Sequence, residues 1–176
     1  MRAFLGCPLA ENDRRLLCAW MRTHLGTDWH AVPARNLHLT LCFLGERTAP
    51  ALAALAAGLH ALGPLPKARA HGIRVLPFPD PTAPLLALEL TPDTGLSAVH
   101  AGTTGVATRL GLAADPRPFR PHITLARGSG GYDSQPLAVA LTFTRLCLFA
   151  SRAGPQGVTY ETLNSWPLGD VATPST

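Results

Sequence analysis

His38-Leu39-Thr40-Leu41 and His122-Ile123-Thr124-Leu125 repeat one pattern, His-x-Thr-Leu with an apolar second position, in opposite halves of a 176-residue chain. With 7 His, 17 Thr and 29 Leu in the chain, composition alone gives about 0.05 such tetrapeptides, and two in roughly one chain per thousand. A single His on a strand is ordinarily a structural residue; the repetition is what turns the reading toward function. Side chains on a β-strand alternate faces. His and Thr of each copy therefore project to one side, and the two aliphatic residues anchor the other in a core. Two such strands brought together supply two imidazoles and two hydroxyls around one cleft. A neutral imidazole can take a proton from water or a hydroxyl, and a protonated one can give a proton to a leaving oxygen. The hydroxyls, with Arg nearby, can hold non-bridging oxygens and stabilise added charge. This suits in-line displacement at phosphorus.

Other chemistries lack their residues. Positions 31–43 and 118–127 contain no Asp or Glu, an unfavourable setting for a hard divalent ion. No metal and no cofactor is expected. No Gly-x-Ser-x-Gly elbow occurs, which removes the usual serine-hydrolase arrangement. Cys7, Cys18, Cys42 and Cys147 form no Cys-x-x-Cys, so a zinc knuckle is unsupported. They read instead as reduced core thiols of a cytoplasmic protein. Pro8 interrupts the first apolar run and charged residues follow it, so no signal peptide is expected. No apolar stretch is long enough to span a membrane, and no membrane partner is expected. The net charge is +4 with pI near 9.2, and Lys67 is the only Lys beside fourteen Arg. Arg suits bidentate phosphate recognition. Ala, Leu and Pro are abundant too, a bias that a GC-rich coding sequence also produces, and no dense basic run occurs.

The elements that must position the motifs follow from periodicity and breakers. Strands are expected over Arg2–Leu9, Leu37–Leu44, Arg69–Leu76, Leu85–Leu90, His122–Ala126 and Val158–Trp166, with one long or two short strands over Leu137–Ser151. Helices are expected over Ala10–Leu25, Pro50–Leu62 and Ser97–Leu110, the last capped by Ser97 or Thr94. Pro77–Pro84 reads as a Pro-rich turn, Pro116–Pro121 as a stiff loop, Gly128–Asp133 as a flexible loop and Gly154–Gly157 as a turn. Strands and a helix recur around each motif. The fold class is therefore α+β, with two antiparallel sheets, flanking helices and a central groove between them. The length fits one domain, here residues 1–168, and a tail over 169–176 lacks core-forming residues.

Asn36-Leu37-His38-Leu39-Thr40-Leu41-Cys42-Phe43-Leu44-Gly45 closely resembles the first motif of the two-histidine (2H) phosphoesterases, and Phe119-Arg120-Pro121-His122-Ile123-Thr124-Leu125-Ala126-Arg127 resembles the second. Met1-Arg2-Ala3-Phe4, Ser151-Arg152-Ala153-Gly154-Pro155 and Tyr160-Glu161 are similar to the bacterial and archaeal RNA 2′,3′-cyclic phosphodiesterases, formerly called 2′–5′ RNA ligases. The resemblance implies a bilobal fold with pseudo-twofold symmetry. It also implies opening of terminal 2′,3′-cyclic phosphates on RNA, such as tRNA fragments, to 2′-phosphates without metal or nucleotide cofactor. Carried over, His38 is the general acid at the 3′ leaving oxygen, His122 the general base, and Thr40 and Thr124 bind the phosphate. The symmetric motifs alone do not assign acid and base. The reverse reaction, a 2′–5′ ligation, is allowed by microscopic reversibility. A monomer is expected.

The neighbours of the motifs complete the candidate set. Arg127, five positions after His122, stands where the family commonly has Arg. Strict alternation turns it from the cleft, so a bulge or strand end must redirect it; it then either binds phosphate or is a solvated Arg. Phe43 has the same offset from His38 and either stacks a terminal base or joins the core. Arg120 faces the groove or forms a structural ion pair. Cys42, where the family often has a basic residue, shares a face with His38 and Thr40 by alternation. His24, His30, His60, His71 and His100 lack a paired pattern and read as structural or surface residues. Two further functions compete: a small-molecule cyclic phosphodiesterase, acting on a cyclic nucleotide or cyclic ADP-ribose phosphate, and a non-catalytic module that grips RNA ends. Retention of both His-Thr pairs favours catalysis, because binding alone needs no paired proton donor and acceptor.

Overall fold

Each motif strand anchors itself as its alternation predicts. Leu39, Ile123 and Leu125 are fully buried and Leu41 is 5% exposed, while His38, Thr40, His122 and Thr124 are partly open on the opposite face. The computed structural model describes residues 1–78, 84–112, 118–155 and 157–169. In chain order its elements are β1 (Arg2–Pro8), α1 (Glu11–His24), β2 (Trp29–Ala31), a 3₁₀ turn (Ala34–Asn36), β3 (His38–Glu46), α2 (Ala49–His60), β4 (Ala68–Phe78), β5 (Leu85–Pro92), α3 (Thr94–Arg109), β6 (His122–Gly128), β7 (Gln135–Phe143), β8 (Arg145–Gly154) and β9 (Gly157–Pro167). Most of the Pro-rich turn, the start of the stiff loop, Gln156 and the tail from Asp170 onward lie outside the described residues.

The strands run in the order β7-β4-β5-β6-β3-β1-β8-β9, with β2 added to β6. Paired strands are antiparallel. The two expected sheets are the two four-stranded halves of this order. They are continuous with each other because β3 and β6 pair at Leu39 and Ile123. The chemistry-bearing strands thus meet at the centre. β1 supports β3 on one side, and β5 supports β6 on the other. The main core covers the aliphatic face, where Leu5, Leu86, Leu88 and Leu148 are fully buried beside the two motifs. Burying a side chain of this size stabilises by about 1.5–3 kcal/mol.

Helix α3 packs against β3, β4 and α2. Its cap is Asp93, one residue before Thr94 and four before Ser97, the two predicted candidates. The Asp93 carboxylate accepts from the Leu96 amide at 2.7 Å and from the Arg69 amide of β4 at 3.1 Å. Asp serves here because one acceptor satisfies both a helix-end donor and a strand donor. Helix α1 buries Leu17 and Met21, whereas Leu16 is exposed and Trp20 stacks on His24. Strand β2 was not expected, since three residues are too few to show a period. No described helix is long and apolar enough to cross a membrane.

Candidate active site

Both motif strands carry a β-bulge at the same place. Thr40 pairs with Gly6 and Cys42 with Leu5, so Leu41 is the extra residue of β3. Thr124 pairs with Ala87 and Ala126 with Leu86, so Leu125 is the extra residue of β6. A bulge resets alternation. Leu41 and Cys42 therefore both point into the core, as do Leu125 and Ala126. The next residues, Phe43 and Arg127, return to the groove face and are exposed. Arg127 is redirected in the way its position required. Phe43 is 48% exposed and is not a core residue. The face assigned to Cys42 needs correction: it is buried, because the bulge shifts it off the side that His38 and Thr40 share.

The register at the seam sets the histidines against the opposite threonines. With Leu39 beside Ile123 in an antiparallel pair, one step each way puts His38 opposite Thr124 and Thr40 opposite His122. Each imidazole is oriented the same way. His38 Nδ1 lies 2.6 Å from the Asn36 carbonyl oxygen, and His122 Nδ1 lies 2.9 Å from the Arg120 carbonyl oxygen. A carbonyl only accepts, so both Nδ1 atoms carry the proton and Nε2 is the nitrogen for proton transfer. His38 Nε2 is 3.0 Å from Thr40 Oγ1, which donates to it when the ring is neutral. Asn36 is itself buried, and its side-chain amide donates to the Val158 carbonyl of β9 at 2.7 Å. The segment that orients His38 is thereby tied to the far edge strand.

A small apolar cluster lies beneath each histidine on the groove face, apart from the main core. Phe4, Cys147 and Phe149 form one, joined by Tyr160. His38 sits 4.8 Å from the Phe4 ring and 5.0 Å edge-on from Tyr160. Phe78, Leu85 and Ala87 form the other, and His122 stacks on Phe78 at 4.2 Å. The floors differ in charge. Glu89, opposite His122 in the register, accepts from Arg74 at 3.0 Å and from Arg120 at 2.9 Å, and Arg120 lies over Phe78 at 4.0 Å. The hydrogen bond from Arg120, then that from Arg74, holds Glu89 below the usual carboxylate range against partial desolvation. Pro8 is the residue opposite His38. Burial pushes His38 below the ordinary His value; the Asn36 carbonyl opposes this and the His122 charge adds to it.

His38, Thr40, His122, Thr124, Phe43 and Arg127 thus share the groove face. Arg120 is engaged by Glu89 and Phe78, the ion-pair alternative of the two its sequence position left open. Phe78, Phe149 and Glu89 are the residues that motif reading missed, while Phe4 and Tyr160 stand in stretches similar to the family but had no role in the site. The identical offset of Phe43 and Arg127 from their histidines was the available signal for the bulges. The remaining histidines have structural contacts where contacts occur: His60 accepts from Trp166 Nε1, and His100 stacks on Phe119. Among the described residues no group of three or more His, Cys, Asp or Glu could hold a metal ion.

No family model matches the chain. The RNA 2′,3′-cyclic phosphodiesterase of Thermus thermophilus is 31% identical over 181 residues, spanning 96% of this chain and 90% of the relative. The Escherichia coli K12 protein of the same name is 29% identical over 179 residues, spanning 95% and 96%. Among solved structures, TT0787 of Thermus thermophilus superposes with a TM-score of 0.84 at 27% identity, over 97% of this chain and all of that one. LigT of E. coli complexed with 3′-AMP gives 0.82 at 28% identity, over 96% and 98%. Full-length similarity in sequence and in fold, with both His-x-Thr strands meeting at the seam, means that the chain belongs to the RNA 2′,3′-cyclic phosphodiesterase family of two-histidine phosphoesterases.

Proposed function

We propose that this protein hydrolyses 2′,3′-cyclic phosphate ends of RNA to 2′-phosphomonoesters by His/His acid–base catalysis. One observation carries the reading: two imidazoles at a shared seam, each with Nδ1 held by the carbonyl two residues before it, so that both present Nε2 for proton transfer. In the reaction, His122 Nε2 takes a proton from water as its oxygen attacks phosphorus. The bond to the 3′ oxygen breaks opposite the attacking oxygen, and His38 Nε2 protonates that leaving oxygen. Thr40 and Thr124 hold non-bridging oxygens, Arg127 adds positive charge, and Phe43 stacks the terminal base. Arg120 contributes through its carbonyl and its packing under His122. The assignment of acid to His38 follows the family, and the names of the relatives support the substrate class.

The catalytic groups need no metal or cofactor in this scheme. The acting unit is one bilobal domain over residues 1–168 with a tail at 169–176, a monomer of the cytoplasm whose four thiols are free. The same site run backwards joins a cyclic end to a 5′ hydroxyl as a 2′–5′ linkage. The test is hydrolysis in EDTA of an RNA oligonucleotide with a 2′,3′-cyclic end, followed by phosphorus NMR. Full activity and a 2′-phosphate product are expected. His38→Ala and His122→Ala should each lose about a hundredfold in turnover, the usual scale for a general acid or base. Complete loss in EDTA restored by zinc or manganese, or near-normal turnover in either folded variant, would overturn the mechanism.

A further inference from the structure

The groove face of β1 continues past the catalytic floor to a cation that the reaction at phosphorus does not use. The bulges on this side belong to β3, so β1 keeps strict alternation. Ala3, Leu5 and Cys7 are buried in the core, while Phe4 and Gly6 lie against His38 on the opposite face. Arg2 shares that face and is exposed. At about 3.4 Å per residue, Arg2 is about 14 Å along the strand from Gly6, the residue paired with Thr40. Its cross-strand neighbour Glu46 pairs with the terminal ammonium at 3.2 Å. Arg14, Arg74, Arg120 and Arg152 each hold a carboxylate. Arg2 forms no ion pair among the described residues.

Tyr160 links this cation to the catalytic groups. It arrives from β9, with its ring edge-on to both His38 and Phe4. Burial pushes its hydroxyl up, and the charges of Arg127 and Arg2 both oppose that, so the two cations lie within electrostatic reach of one hydroxyl. Phe43, 6.4 Å from Phe4, is exposed on the same rim. We propose that Arg2 and the Tyr160 hydroxyl form an upstream anion subsite that binds the phosphodiester preceding the terminal nucleotide, so that the groove prefers an RNA strand to a mononucleotide. This rests on the hydrolytic reading of the site. A terminal nucleotide held by the two histidines and stacked on Phe43 ends short of Arg2. A longer strand carries its next phosphate toward it. Tyr160 is a hydrogen-bond donor there and, through its ring, a wall for His38.

The test compares kcat/KM for a 2′,3′-cyclic mononucleotide and for a trinucleotide with the same 3′ end. The wild-type protein should prefer the trinucleotide. Arg2→Ala should lower the trinucleotide to mononucleotide ratio about fivefold, the scale of one partly exposed charge contact. Arg2→Lys should keep most of the ratio, and Tyr160→Phe, which retains the ring, should lower it too. Affinity for a 2′-phosphorylated trinucleotide, read by fluorescence anisotropy, should weaken in Arg2→Ala and show a shallower salt dependence. Equal losses on both substrates, or an unchanged ratio in Arg2→Ala, would overturn the subsite while leaving the hydrolytic reading intact. Absence of turnover on both substrates by the wild-type protein would overturn that reading and the subsite with it.

Discussion

Gly6→Ala tests whether the backbone under His38 has room for one more carbon. Gly6 pairs with Thr40, and an added Cβ would sit 2.6 Å from the Leu39 carbonyl oxygen, 3.4 Å from Phe4 Cε2 and 3.5 Å from His38 Cδ2. Even a weak C–H···O contact needs about 3.3 Å, so the oxygen must retreat by roughly 0.7 Å. It belongs to the residue between His38 and Thr40, which pairs with Ile123 at the seam. Strand β1 is held on both sides, by β3 and β8, and cannot tilt away freely. Overpacking of this kind costs about 1–3 kcal/mol, which lowers the melting temperature by about 5 °C in a chain of this size. Because the displaced peptide joins Leu39 to Thr40, between the two site side chains of β3, turnover should fall by about ten- to a hundredfold, the range for a misplacement approaching 1 Å. KM should change less than turnover, since Thr124 and Arg127 lie on the other motif strand and keep their place.

The other half supplies the control. Ala87 pairs with Thr124 where Gly6 pairs with Thr40, and it is fully buried with its Cβ in place. Ala87→Gly should cost about 0.5–1 kcal/mol and leave turnover within about threefold. Thermal unfolding by circular dichroism and steady-state hydrolysis of a cyclic-phosphate oligonucleotide measure both quantities. A Gly6→Ala protein with wild-type melting temperature and wild-type turnover would refute the packing argument.

Three further outcomes follow from the site. Burial lowers His38, so its neutral form belongs to the folded state. The stability it contributes is present above the ordinary His value of about 6.5 and is lost as pH falls through the lower folded value. Urea unfolding at pH 7.5 and pH 5 should show this decline, and His38→Gln should flatten it. Glu89→Gln removes the carboxylate that holds Arg74 and Arg120; stability should change by at most about 1 kcal/mol because both guanidiniums are half-exposed. Turnover should fall about threefold to tenfold as Arg120 loosens over Phe78 under His122, with a shifted limb in the pH–rate profile; an unshifted profile at wild-type rate counts against a positioning role. Phe43→Ala combined with Arg127→Ala should raise KM and yield some 3′-phosphate beside 2′-phosphate, read by phosphorus NMR; unaltered affinity and product would remove both residues from substrate binding.

What the sequence could show was whatever repeats within one strand. His38 and Thr40 lie two apart, as do His122 and Thr124, so period two alone placed them on one face above a buried aliphatic pair. The bulges at Leu41 and Leu125 escape that reasoning, because Leu-Cys and Leu-Ala are apolar whichever face they take. Assigning Cys42 to the groove was the resulting error. The equal offsets of Phe43 and Arg127 pointed the other way, since a cleft-facing residue five positions on requires a bulge. Tyr160, Phe149 and Phe78 come from β9, β8 and β4, far from the motifs in sequence. Only the strand order brings their rings under the histidines. Asp93 was passed over as a cap because its second partner, the Arg69 amide, lies on a strand that sequence does not place beside the helix.

The two halves share a bulge just after each motif threonine, yet their floors differ, and the difference bears on how two like strands act in one direction. His38 rests on Phe4, Phe149 and Tyr160, an apolar floor that disfavours its charge. An acid must hold a proton when the leaving oxygen departs, so the floor works against the role proposed for His38 in the empty groove. An anionic cyclic phosphate beside Nε2 works in the opposite sense, and more strongly where water is excluded. Substrate binding and protonation of His38 are then linked, each favouring the other. Beneath His122, Phe78 carries a guanidinium on the same ring that the imidazole stacks on, and the Arg120 carbonyl fixes Nδ1. On the proposed assignment, direction in this fold comes from what packs under each histidine, an apolar floor under one and a paired guanidinium under the other, while the two strands set the motifs side by side.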